Sequence, residues 1–85
     1  MRMSYEKVAQ VKHNLIIGSK QTLKAIKNGE VAVVVIAADA DQYVTSKVSQ
    51  LAEQMNVPCI QVDSRKKLGK ACGIDVGTAT VAIKQ

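Results

Sequence analysis

Seven consecutive aliphatic residues, Val31 to Ala37, constrain this chain more than any other feature. A run of that length without a polar position marks a central strand covered on both faces, because a half-exposed strand would alternate. It is also far too short for a membrane-spanning helix, which needs about 20 apolar residues. Segments with helical spacing flank it on both sides. Upstream, Ser19 is placed to cap a helix over residues 19–28, with Thr22, Leu23 and Ile26 as its inward stripe and Gly29 as its stop. Downstream, Asp39 and Asp41 read as caps of a helix that carries Val44, Val48, Leu51 and Met55 and closes at Asn56-Val57-Pro58.

The rest of the chain follows the same rhythm. Ser4 can cap a short helix over 4–12, with Val8, Val11 and Leu15 on one face, and Leu15-Ile16-Ile17 reads as a brief strand ending at Gly18. Cys59-Ile60-Gln61-Val62 is a third strand, Ser64 caps a helix through Lys70 that Cys72-Gly73 breaks, and residues 78–84 alternate as a last strand. Strands separated by helices require crossovers. The expected fold is α/β, a single-domain three-layer α/β/α sandwich with a four-stranded mixed sheet over residues 1–85, a length that suits one core.

Charge is distributed unevenly over this frame. Residues 18–28 contain Lys20, Lys24 and Lys27, residues 64–70 contain Arg65, Lys66, Lys67 and Lys70, and neither window holds an acid. The overall charge of +5 therefore arises in two places, and a polyanion is the natural partner. Lys20, Lys24 and Lys27 fall at i, i+4 and i+7, one edge of a helix. With no Phe or Trp and only Tyr5 and Tyr43, the chain lacks the stacking platforms of sheet-face RNA readers and single-strand binders.

Other chemistries find little support. Gly18-Ser19 opens a helix as a phosphate-binding turn does, but the spacings of nucleotide P-loops and dinucleotide fingerprints are missing. Cys59 and Cys72 form no CxxC pattern and His13 is the one histidine, so no zinc, disulfide or cofactor is expected. Cys72 reads as a packing residue, since His13 is its one candidate base. No apolar signal segment opens the chain, and a cytoplasmic monomer is expected.

A helix N-terminus can meet RNA only where the helix is distorted, because the A-form major groove is too narrow for side chains. There Lys20 and Lys24 can donate to guanine O6 and N7, and Gln21 can read a second base edge. The loop Ala71-Cys72-Gly73-Ile74-Asp75-Val76 would pack on an extruded nucleotide, with Lys66, Lys67 and Lys70 on phosphates. Period-two spacing suggests that Ile74 and Val76 point the same way.

Three segments carry a resemblance: Gly18-Ser19-Lys20-Gln21-Thr22-Leu23-Lys24-Ala25-Ile26, then Val33-Val34-Val35-Ile36-Ala37 with Asp39, and Leu68-Gly69-Lys70-Ala71-Cys72-Gly73-Ile74-Asp75-Val76. Together they resemble the kink-turn RNA-binding ribosomal protein family, over roughly residues 7–83, and in length and sequence the chain lies nearest its small bacterial, YbxF-like members. The resemblance implies the α/β/α sandwich and a non-enzymatic protein that binds kink-turns, sharply bent RNAs with tandem sheared G·A pairs. It implies Lys20, Gln21 and Lys24 as base-reading residues. It implies Gly18, Ser19, Lys27, Lys66, Lys67, Lys70, Ala71, Cys72, Gly73, Ile74, Asp75 and Val76 as backbone or bulge contacts, and the ribosome as a further candidate partner. The chain departs from the archaeal and eukaryotic pattern, where Asn-Glu usually stands at Lys20-Gln21.

Plainer readings stand beside these. The lysines could be solvated helix faces, Gly73 a helix C-cap, and Asp39 and Asp41 caps alone. A nucleotide-phosphate enzyme at the Gly18 turn, or a ribosome-associated protein-interaction subunit with only general RNA affinity, are the competing functions.

Overall fold

The computed structural model describes residues 14–85. The expected helix over 4–12 and His13 lie outside the described residues. Within them the order is β1 (Leu15–Ile17), α1 (Ser19–Lys27), β2 (Val31–Ala37), α2 (Gln42–Gln54), β3 (Cys59–Val62), α3 (Arg65–Cys72) and β4 (Thr80–Lys84). The sheet runs β1-β4-β2-β3, with β4 antiparallel to both neighbours and β2 parallel to β3. The sheet is mixed and four-stranded, as expected.

The aliphatic run is inner strand β2, and its two faces feed two cores. Val33, Val35 and Ala37 pack with Val62, Val81, Ile83 and the α3 residues Leu68 and Cys72. Val34 and Ile36 face the other way, toward Ala25, Ile26, Val48 and Ala52 of α1 and α2. Val31 shares that second core although its parity matches Val33. The register explains this: Val31 stands opposite Lys84 and Val33 opposite Ile83, so Ala32 is an extra residue, a β-bulge that reverses the alternation.

Beta4 is buried at Thr80, Val81, Ala82 and Ile83 rather than alternating, because it lies between two strands and under helices on both faces. It begins at Thr80, not at residue 78. Thr78 is turned out of the ladder, its N–H donating to the Arg65 carbonyl at 3.1 Å.

The helix faces differ from expectation in detail. In α1 the buried residues are Thr22, Ala25 and Ile26, with Leu23 only half-buried. In α2 they are Thr45, Val48 and Ala52, while Val44 and Leu51 are half-buried and Met55 is 44 % exposed beyond the helix end. Thr45, Val48 and Ala52 form the contact stripe, and Val44 and Leu51 flank it.

The N-caps also sort differently. Gly18, not Ser19, is the N-cap of α1, and Ser19 is its first helical residue. Asp41 caps α2 by accepting the Tyr43 N–H at 2.9 Å, and Ser64 caps α3 by accepting the Lys67 N–H at 3.2 Å. All three helices end in the same six-to-one closure: Glu30 N–H to Ala25, Val57 N–H to Ala52 and Ile74 N–H to Gly69. The left-handed residues this requires are Gly29, Asn56 and Gly73.

Candidate nucleic-acid interface

The two basic windows meet at one end of the sheet, where β1, β2 and β3 finish and β4 starts. Thr80 joins them. Its carbonyl accepts the Gly18 N–H at 3.0 Å and the Thr78 hydroxyl at 3.1 Å, and its own hydroxyl accepts from Ser19 Oγ at 3.2 Å. The entry to α1 and the end of the loop after α3 are therefore fastened to a single residue.

Gly18 sits at φ 107°, ψ 149°, a conformation open essentially to glycine alone. At the N-cap position but without a side chain, it gives the first-turn N–H groups at the positive end of the helix dipole no capping bond. Lys20, Gln21, Lys24 and Lys27 are all exposed on this helix. That combination favours negatively charged oxygen over any other ligand atom.

The second window is held by backbone contacts. A Cβ on Gly69 would overlap the Val76 carbonyl oxygen, and one on Gly77 would come within 3.3 Å of the Arg65 side chain and carbonyl. The loop over 73–79 thus lies against α3, bonded to it at Gly73, Ile74 and Thr78. Asp39 contributes from the β2–α2 connection: its Oδ1 accepts the Arg65 N–H at 2.8 Å. It supports the first residue of α3 rather than its own downstream helix, which Asp41 caps alone.

The loop side chains divide between core and solvent. Cys72 is buried among the α3-face residues, Ala71 and Ile74 pack half-buried against them, and Val76 is 69 % exposed. Ile74 and Val76 therefore point in different directions, contrary to the period-two reading, because the segment is a helix closure and turn rather than a strand. The side chain of Cys72 is not part of the surface. Burial pushes its thiol pKa up, which holds it protonated and unreactive. Lys66, Lys67 and Lys70 are exposed, and Lys67 Nζ lies 3.7 Å from Asp63 Oδ2 in a solvent-exposed pair. Among the described residues, no three His, Cys, Asp or Glu side chains converge as metal ligands, and no helix is long and apolar enough to cross a membrane.

Comparison with known proteins gives the family. Residues 3–85 match the model of the ribosomal protein L7Ae/L30e/S12e/Gadd45 family. The chain belongs to that family. A relative from Halalkalibacterium halodurans, named as an RNA-binding protein, is 60 % identical over 98 % of this chain and 100 % of its own length. The RNA-binding protein YbxF of Geobacillus stearothermophilus is 54 % identical over 95 % of this chain and 98 % of its own. The solved 15.5 kD RNA-binding protein of Giardia lamblia superposes with a TM-score of 0.88 at 30 % identity, over all of this chain and 76 % of its own.

Within this L7Ae-family chain, the geometry brings together Gly18, Ser19, the start of α1 and the loop over 73–79. Thr80, Asp39, Gly69, Gly77 and the Arg65 backbone also hold this candidate site together; the sequence offers no sign of Thr80 or Gly77, and it presents Asp39 as a cap, Gly69 as part of a motif and Arg65 as a surface cation. The partners of the glycines are distant in the chain and gave no local signal.

Proposed function

We propose that this protein binds RNA without catalysing a reaction, and that its target is a kink-turn. The observation that carries this is the double fastening at Thr80. It presents an uncapped, lysine-edged helix start and an apolar-tipped loop as one rigid edge. In this reading Lys20, Gln21 and Lys24 meet base edges in the widened groove at the G·A pairs. Lys27, Lys66, Lys67 and Lys70 hold phosphates, and the first-turn N–H groups beginning at Ser19 assist them. Ile74 fixes the loop from beneath, while Gly73, Asp75 and Val76 cover unpaired nucleotides. The relatives' printed names as RNA-binding proteins support the class of ligand.

The setting proposed is the cytoplasm, with ribosomal or regulatory RNA as target and the protein acting as a monomer. Among the described residues the large exposed apolar side chains are Tyr43, Met55 and Val76, at the two ends of α2 and in the loop. They do not mark one continuous helix face.

The test is titration against a kink-turn RNA and the same RNA with its G·A pairs made Watson–Crick, at one salt and magnesium concentration. The expected loss on the second is two or more orders of magnitude, about 2.7 kcal/mol. Equal weak binding to both would leave only the general RNA affinity of the competing interaction-subunit reading.

A further inference from the structure

A cleft of about 290 Å³ lies beside α1, with Gln21, Lys24 and Asn28 on its helical side, half-buried Ile16 within it, and Glu30 and Lys84 completing its wall. Residues 21, 24 and 28 stand at i, i+3 and i+7, one edge of the helix about 10 Å long. Lys20 and Lys27 do not line it. The helix therefore divides its cations, and Lys24 belongs to a concave surface as well as to the exposed edge.

Lys84 comes from the far side of the sequence and is held in place by the sheet. It stands opposite Val31, and the next residue, Gln85, donates its N–H to the Glu30 carbonyl at 3.0 Å. It has the parity of Ala82, whose side chain faces the α1 core. Neither Lys24 nor Lys84 lies within ion-pair distance of Glu30. The two ammonium groups, without an ion-pair partner among the described residues, outweigh the Glu30 carboxylate, so with two amides beside them they suit phosphodiesters, while Glu30 can accept from ribose hydroxyls. An apolar ligand would leave all five polar side chains unsatisfied.

We propose that this cleft is a second RNA contact, holding the phosphodiester backbone of a helical arm that continues past the bases met by α1, with Lys84 as its terminal cation. The proposal rests on the reading that α1 enters a kink-turn. It lengthens the interface from the start of α1 to beyond its end and adds a residue outside both basic windows.

The experiment titrates wild type, Lys84→Gln and Lys84→Arg, with matched melting temperatures, against one kink-turn RNA with full arms and two in which one arm or the other is shortened. Expected for Lys84→Gln is an affinity loss of about three- to tenfold on the full RNA and a salt slope shallower by about 0.7–0.9, the signature of one lost phosphate contact. The loss should vanish on one shortened RNA, and Lys84→Arg should bind as wild type. Unchanged binding of Lys84→Gln to the full RNA, or the same loss on all three RNAs, would overturn the proposal. Failure of the wild type to prefer kinked over Watson–Crick RNA would instead sink the kink-turn reading, and is read separately from the Lys84 comparison.

Discussion

The Val76 carbonyl oxygen occupies the space that any side chain on Gly69 would need. Gly69 lies in the middle of α3, where glycine ordinarily costs about 0.5–1 kcal/mol relative to alanine. Its presence there is explained by the loop that crosses it. Gly69→Ala should therefore destabilise, by about 1–3 kcal/mol as for other overpacked sites. It should lower affinity for kinked RNA more than for straight duplex. Urea denaturation beside paired titrations checks both parts.

Gly18→Ala tests a different cause. Nothing lies within 4 Å of a Cβ built there, so the cost is purely conformational, about 1–3 kcal/mol. For a domain this small, each kcal/mol lowers Tm by about 4–8 °C, which calorimetry resolves. An unchanged Tm would mean that α1 starts differently from the geometry described.

Base contacts and phosphate contacts should separate in binding. Lys20→Ala or Lys24→Ala should cost about 1–3 kcal/mol on the kinked RNA and little on a duplex. Lys66→Gln and Lys70→Gln should weaken all RNAs alike and flatten the salt slope. Lys67→Gln should have the smallest effect of the three, because Lys67 already has an exposed partner in Asp63.

Asp39→Ala removes the acceptor for the Arg65 N–H and should cost about 0.5–2 kcal/mol, the range for loss of a helix cap. Asp39→Asn keeps an acceptor oxygen and should recover part of it. Equal stability of the two variants in denaturant would show that the carbonyl-type oxygen is not what matters there.

The cysteines predict a pH effect. Burial raises the Cys72 thiol pKa above the ordinary 9.0, and desolvation of its covered side raises that of the otherwise exposed Cys59, with a Ser49 hydrogen bond partly opposing it there. A folded-state pKa above the unfolded one means stability that is complete below the unfolded value and declines as pH rises through the folded one. Stability should accordingly fall above about pH 9, and Cys72→Ser should reduce that fall. In native protein a thiol reagent should modify exposed Cys59 and spare buried Cys72.

Much of this architecture was legible in the residues. The unbroken run at 31–37 announced an inner strand, and the spacing of Lys20, Lys24 and Lys27 announced one exposed helix edge. What the residues hid depends on pairs distant in the chain. Asp39 reads locally as a cap for the helix that follows it, yet its oxygen serves Arg65, 26 positions on. Period two misplaced Ile74 relative to Val76 because it assumes an extended backbone. The bulge at Ala32 left no mark in a stretch where every side chain is aliphatic. Ser19 resembles a cap by type, but the helix starts at Ser19 itself, after a Gly18 that is bonded to Thr80 and has no side chain to cap with.

Thr80 lies 61 positions from Ser19, so the edge they share is closed only by the last strand. On a chain emerging from the ribosome, the lysines of α1 are made long before the strand that mounts them. A partly made copy would carry the positive charge without the shape, and so could attract RNA without selecting it. In the proposed reading, selective recognition is thereby deferred until β4 has joined the sheet.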